Sequence, residues 1–281
     1  DGTYSNCSLY VTTSTGVKAK TLSVTSFIVD TTVTANFTAV TDNVGSVTGT
    51  MTSGNTTDDT SLALSGTNET GASVKVFNGS TELGSATVSG TNWSYSSTVA
   101  NGTTYQLNVK ETDLAGNTSA ATSNFAVTGD TSAPTANFTA ATDNIGSVTG
   151  TMTSGNTTDD TSLALSGTNE TGASVKVFNG STELGSATVS GTNWSYSSTV
   201  ANGTTYQLNV KETDLAGNTS AATSNFAVTG DSLAPSANSF SLSDTALKKG
   251  DSATVTLVFS EAVASFSSST DITVANGTLT T

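Results

Sequence analysis

Residues 34–130 are written twice. The stretch opens TANFTAVTDNVGSVTGTM at Thr34 and closes TSNFAVTGD at Asp130, and it returns from Thr135, 101 residues on. Only two of the 97 paired positions differ: Val40 against Ala141 and Val44 against Ile145. A repeat of about 100 residues with this Thr-, Ser- and Gly-rich texture is the length of one β-sandwich module. Copies this alike have not specialised apart. Two equal catalytic centres in tandem would be an odd enzyme, whereas two equal lengths in tandem make a longer rod, so the repeat itself favours a spacer.

Within the repeat, apolar residues alternate at the period of a half-buried strand. Leu62 and Leu64, Val74 and Val76, Trp93 and Tyr95, and Leu107 and Val109 each mark one. Asn78-Gly79 is a hairpin signal leading into one strand at 81–88, and Asn101-Gly102 precedes the strand at 104–111. Tyr105, just after a Gly turn, stands where a tyrosine corner places its ring. Seven or eight antiparallel strands are expected, with no helix longer than two turns. Trp93 and Trp194 could serve as sugar-stacking platforms, but their alternation with Tyr95 and Tyr196 points to packing. The Asn-x-Ser/Thr triplets at Asn36, Asn55, Asn68, Asn92 and Asn101 read as products of a Ser/Thr-rich composition.

The flanks read as parts of modules. Residues 1–33 resemble the last third of the repeat, with Tyr4 in DGTY placed as Tyr105 is in NGTTY; residues 236–281 open a different module, with strands expected at 239–245, 253–259 and 271–274. The expected domains are therefore 1–33, 34–134, 135–235 and 236–281, a segment of a longer protein. The lone Cys7 excludes an internal disulfide and is expected to be a small buried strand residue. Eight lysines, no arginine, no histidine and a net charge of −14 disfavour nucleic acid and anionic membranes and suit divalent cations. No apolar run approaches the roughly 18 residues of a membrane span. Without histidine there is no His-based triad and no His-ligated metal, and no serine or threonine has an evident base beside it.

The ordered motifs TDNVGSVTG, TTDDTSLALSGTNETGASVKVF, GTNWSYS, NGTTY, TDLAGNTS and a closing D-T-x-A-P resemble the bacterial Ig-like modules of giant secreted adhesins, the extender regions of type I-secreted, RTX-type surface proteins. SDTALKKGDSATVTLVFSEAV and DITVANGTL look like a sister type of the same repeat. The resemblance covers 34–231 strongly and 1–33 in part. It implies an all-β fold of tandem Ig-like sandwiches forming an elongated rod on the bacterial surface or in its matrix, often rigidified by calcium. Its partners would be the neighbouring modules of the same chain, with the adhesive target outside this segment and no membrane insertion.

The acids fall where such a cation would need them. The A–B loop, between strands expected at 35–40 and 61–65, and the end of the last strand lie at one pole of a sandwich; the B–C loop at 68–71 and the F–G loop at 113–117 lie at the other. Asp58, Asp59 and Asp130 thus share a pole, and Glu170 and Asp214 of the next module face back toward them across a linker stiffened by Pro134. Calcium takes about six to eight oxygens from carboxylates, carbonyls and water. In the family, the acids of the linker, the T-D-x-A-G-N loop and the B–C loop are interface ligands. Here these are Asp130, Asp214 and Glu170, and one junction upstream Asp30, Asp113 and Glu69. Asp159, Asp160 and Asp231 recur one period on. The competing reading is that these aspartates, and Asp42 and Asp143 with them, only shape Asx-turns. Two other functions stay open: accessory modules of a secreted polysaccharide-active enzyme, and glycan-binding modules.

Overall fold

Along Ser61–Thr67, Leu62, Leu64 and Gly66 are buried while the residues between them face water, and Val74 and Val76 behave alike in Ser73–Asn78. A pleated strand sends successive side chains to opposite faces, so each of these strands offers one apolar side to a partner sheet. The computed structural model describes residues 1–263, 266–275 and 278, and it pairs those sides into sandwiches.

The chain begins with β1 (Gly2–Tyr4), β2 (Ser8–Leu9), β3 (Leu22–Ser23) and β4 (Phe27–Val29), β1 pairing with β4 and β2 with β3, both antiparallel. The first repeat follows as β5 (Asn36–Asp42), β6 (Gly49–Thr50), β7 (Thr56–Thr57), β8 (Ser61–Thr67) and β9 (Ser73–Asn78). It continues as β10 (Thr81–Ser85), β11 (Thr87–Ser89), β12 (Asn92–Thr98), β13 (Thr104–Thr112) and β14 (Phe125–Gly129). One sheet runs β11-β12-β8-β5-β6 and the other β10-β9-β13-β14-β7. The second repeat reproduces both orders between Asn137–Asp143 and Phe226–Gly230.

Two details depart from the sequence reading. The single strand expected at 81–88 is divided: β10 pairs with β9 through a register shift between Glu82 and Gly84, and β11 then pairs with β12 in the other sheet. The short β7 runs parallel to β14, because the loop after β6 returns along the sheet edge rather than folding as a hairpin. The bulge at Glu82–Gly84 bends the edge and lets one stretch of chain serve both sheets.

Between the sheets of the first repeat lie Val40, Leu62, Leu64, Val74, Val76, Trp93, Val99, Leu107, Val109 and Val127. Burying each of the larger apolar side chains stabilises the fold by roughly 1.5–3 kcal/mol before the entropy of ordering is set against it. Trp93 is 2% exposed; its ring lies 5.7 Å from Phe37, and its indole N–H donates to the Asn36 carbonyl at 3.0 Å. It is a core residue rather than a platform. Gly66 permits this packing, since a Cβ there would sit 2.1 Å from the Asn36 oxygen and 2.6 Å from the indole nitrogen. The Tyr105 hydroxyl accepts the Ala100 N–H at 3.1 Å, completing the expected tyrosine corner.

The flanks lack such cores. Ile28 is 74% and Phe240 62% exposed, and Cys7 is half-buried outside any strand, since among the described residues these short pairs have no second sheet packed on them. Ala237–Leu242 pairs with Val255–Phe259. The strand expected at 271–274 is absent: Ser268–Asp271 forms a helical turn, closed by the Asp271 carboxylate accepting the Ser267 N–H at 2.8 Å. Residues 276, 277 and 279–281 of the DITVANGTL stretch and beyond lie outside the described residues. Among the described residues no helix is long and apolar enough to cross a membrane.

The residues group into two compact units. One comprises Asp1–Ala140, Leu165–Tyr196 and Gln207–Asn225; the other comprises Ala141–Ala164, Ser197–Tyr206 and Phe226–Thr281. Both acidic clusters around the linkers at Asp30 and Asp130 fall within the first unit.

Candidate cation site

Three acids from three separate segments meet at the first linker. Asp30 follows β4, Glu69 lies in the turn between β8 and β9, and Asp113 follows β13. One carboxylate oxygen of each lies within 4.8 Å of the others. Asn117 organises the group. Its backbone N–H and side-chain amide donate to the two oxygens of Asp113, at 2.8 and 2.7 Å, and the same amide donates to the Asp30 carbonyl at 2.9 Å. These bonds, the Asn117 side chain foremost, hold the Asp113 carboxyl below its usual range. Desolvation, then the charges of Glu111, Asp30 and Asp113, push Glu69 up. Among the described residues no lysine pairs with any of the three; the ion pairs there are Lys75–Glu82 and Lys176–Glu183.

A fourth acid stands behind them. Glu111 is fully buried, one oxygen accepts the Glu69 N–H at 2.6 Å, and the other has no hydrogen-bond partner. Sequence reasoning passed it over, although the signal was present: Glu111 continues the inward alternation of Leu107 and Val109 in β13, a carboxylate at a core position.

The second linker repeats the plan with a difference. The Asn218 side-chain amide donates to the Asp130 carbonyl at 2.8 Å and to Asp214 at 2.9 Å, and Glu212 accepts the Glu170 N–H while its other oxygen is unpartnered. Burial, with the charges of Glu170 and Asp214, pushes Glu212 up. One Asp214 oxygen takes the N–H groups of Ala216, Gly217 and Asn218 at 2.9, 2.8 and 3.0 Å, as the amides of Ala115, Gly116 and Asn117 favour the Asp113 carboxylate; the difference lies in how closely the acids meet. Among the described residues, only the first set brings one atom of each acid within 4.8 Å of the rest.

The first repeat also touches this loop directly. The Ser46 hydroxyl donates to the Gly217 carbonyl at 2.7 Å and the Asp58 N–H to the Ala216 carbonyl at 3.3 Å. Asp58 keeps one buried oxygen without a partner, and burial, followed by the charges of Asp42, Asp214 and Asp59, pushes it up. Its neighbours are committed locally. Asp59 accepts the N–H groups of Ser61 and Asn43 at 2.7 and 3.3 Å, and Asp42 accepts the Thr57 hydroxyl at 2.6 Å and the Val44 N–H at 3.0 Å. Asp160 and Asp143 repeat these bonds. Asp159 and Asp231 are exposed. Asx-turn geometry and convergence across the linker thus coexist, and Asp30, Asp130 and Asp214 show both.

A bacterial Ig-like domain profile matches residues 32–131 and 134–232, and a second bacterial Ig-like domain profile matches 231–281. This chain belongs to the bacterial Ig-like domain family. Bacterial Ig-like domains are commonly found in extracellular or surface proteins and are usually non-catalytic. Among solved structures, the fibronectin(III)-like modules of Clostridium thermocellum CbhA match at 16% identity and a TM-score of 0.43, over 64% of this chain and 90% of that one. Bacteroides ovatus SGBP-B of a mixed-linkage glucan utilization locus, solved with a mixed-linkage heptasaccharide, matches at 13% identity and a TM-score of 0.21, over 89% and 58%. No curated protein sequence matches the chain.

Proposed function

We propose that this bacterial Ig-like segment is a non-catalytic spacer of a large extracellular adhesin or matrix protein, stiffened by calcium at the linkers between modules. The observation that supports this most is the meeting of Asp30, Glu69 and Asp113, one acid from the linker and two from loops of the following repeat, with no lysine paired to them among the described residues. Like charges held that close repel, and a divalent ion reverses the sign of the interaction.

The donors suit such an ion. They are carboxylate oxygens with a nearby backbone carbonyl, the hard ligands calcium prefers, and two oxygens on one calcium are at most about 5 Å apart. Asp30, Glu69 and Asp113 would hold it at the first linker; Asp130, Glu170 and Asp214, with Asp58 from the preceding repeat, would do so at the second. The ion would supply positive charge at the point where linker and loops converge. The sandwiches need none, since each repeat buries its own apolar core. Near-identical repeats fit the same role, because gain or loss of a copy changes length and no site.

Calorimetric titration of calcium into the chelator-stripped chain tests this reading. Saturable binding that weakens in Asp113→Ala and Asp30→Ala supports it. Absence of binding, or binding untouched by both substitutions, refutes it.

A further inference from the structure

We infer that Glu111, and Glu212 one period on, supply a buried cation ligand at the base of each linker cluster. The inference rests on the calcium reading above and adds to each site a residue placed by the sheet rather than by a loop.

Both side chains are fully shielded from water, yet each leaves one carboxylate oxygen without a hydrogen-bond partner. A buried carboxylate is tolerated when a positive partner or hydrogen bonds replace its lost hydration. Glu111 has one bond, from the Glu69 N–H, and Glu212 has its equivalent from Glu170. The residues they bond, Glu69 at Glu111 and Glu170 at Glu212, are themselves acids and bring no positive charge. Position 111 lies on the inward face of β13, next along from Leu107 and Val109, where a valine would complete the core. An acid there, unsatisfied and turned toward the Glu69 turn, is explained if a cation completes it.

The placement has a consequence for order of assembly. Asp30 and Asp130 arrive on linkers and Glu69 and Glu170 on turns, whereas Glu111 and Glu212 are fixed by strand pairing to Val74 and Val175. A ligand fixed in advance reduces what the ion must organise on binding.

Glu111→Gln and Glu212→Gln keep the shape and remove the charge. In the full chain with calcium, each substitution should weaken binding at its own linker by at least the 10- to 100-fold typical of losing a supporting group around a metal, and lower the melting temperature. In chelator the sign should invert: the glutamine amide donates to the surrounding acids where the glutamate repelled them, so melting temperature should rise or hold. A purely structural role would shift melting in the same direction under both conditions. Equal affinity to wild type, or melting shifts of one sign and size with calcium and chelator, overturns the inference while leaving the calcium reading intact. Wild-type chain that binds no calcium overturns both. The two substitutions test the inference independently, should either one fold poorly.

Discussion

Replacing Gly217 by alanine should loosen the first repeat, although the substitution lies in the second. Gly217 and its counterpart Gly116 sit in the same TDLAGN loop at similar positive φ, 107° and 93°. An alanine therefore costs about 1–2 kcal/mol of backbone strain at either position. Their surroundings differ. A Cβ at Gly116 meets nothing within 4 Å, whereas one at Gly217 lies 3.1 Å from the Val47 nitrogen, 3.3 Å from an Asp58 carboxylate oxygen and 3.4 Å from the Ser46 nitrogen. Those atoms must retreat by a few tenths of an ångström. The bonds put at risk are the Ser46 hydroxyl to Gly217 and the Asp58 N–H to Ala216. A hydrogen bond contributes a net of about 0.5–1.5 kcal/mol, so the Asp58 amide should open about 2- to 12-fold more readily. Hydrogen-exchange mass spectrometry of peptides spanning 42–60 reads this directly, since Val44 against Ile145 separates the two repeats by mass. Faster exchange there in Gly217→Ala and not in Gly116→Ala is the expected result. Equal exchange in the two variants refutes the contact between this loop and the first repeat.

Four further outcomes are expected. Ala141→Val should stabilise the second repeat by about 1.5 kcal/mol, the value of two buried methyl groups, because both Val40 and Ala141 are fully buried; calorimetry of the unfolding transitions checks it. Tyr105→Phe should destabilise the first repeat by about 1 kcal/mol through the orphaned Ala100 N–H, measured by thermal unfolding. Gly66→Ala should displace Trp93 from its place against Asn36, read as a red shift of tryptophan emission, while Gly79→Ala, with nothing within 4 Å of its Cβ, leaves the emission unchanged. Asn117→Ala should free the linker at Asp30 even in chelator, whereas Asp113→Ala should do so only relative to the calcium-bound state, measured by exchange of residues 30–34.

The cores were legible because the information is local. Leu62 and Leu64, Val74 and Val76, and Leu107 and Val109 alternate over a few residues, and Tyr105 and its Gly turn are neighbours in sequence. Features set by distant partners were not. The passage of 81–89 from one sheet to the other depends on which strand each half meets, and the parallel pairing of Thr56–Thr57 depends on the return path of a long loop. The Asp271–Val274 stretch has strand composition, yet its aspartate instead closes a turn on Ser267. The poles of a sandwich told which loops would gather acids at the second linker, and the family resemblance carried that to Asp30, Glu69 and Asp113 at the first. That rule carries no side-chain torsions, and it does not show that Asp113 and Asp214 each turn toward the amides of their own loop. Glu111 was hidden for the opposite reason: it lies on a strand, and attention to loops passed over it.

Small-angle scattering of the full chain, with calcium and with chelator, tests most directly whether cations at the linkers set the stiffness of this segment. The expected result is a narrower range of inter-module angles with calcium, seen as a larger and better-defined maximum dimension, while β-sheet circular dichroism is unchanged. Asp130→Ala and Asp214→Ala should each reproduce part of the effect of chelator in the presence of calcium. If the maximum dimension and its spread are the same in both conditions, the acids at these linkers shape turns and nothing more.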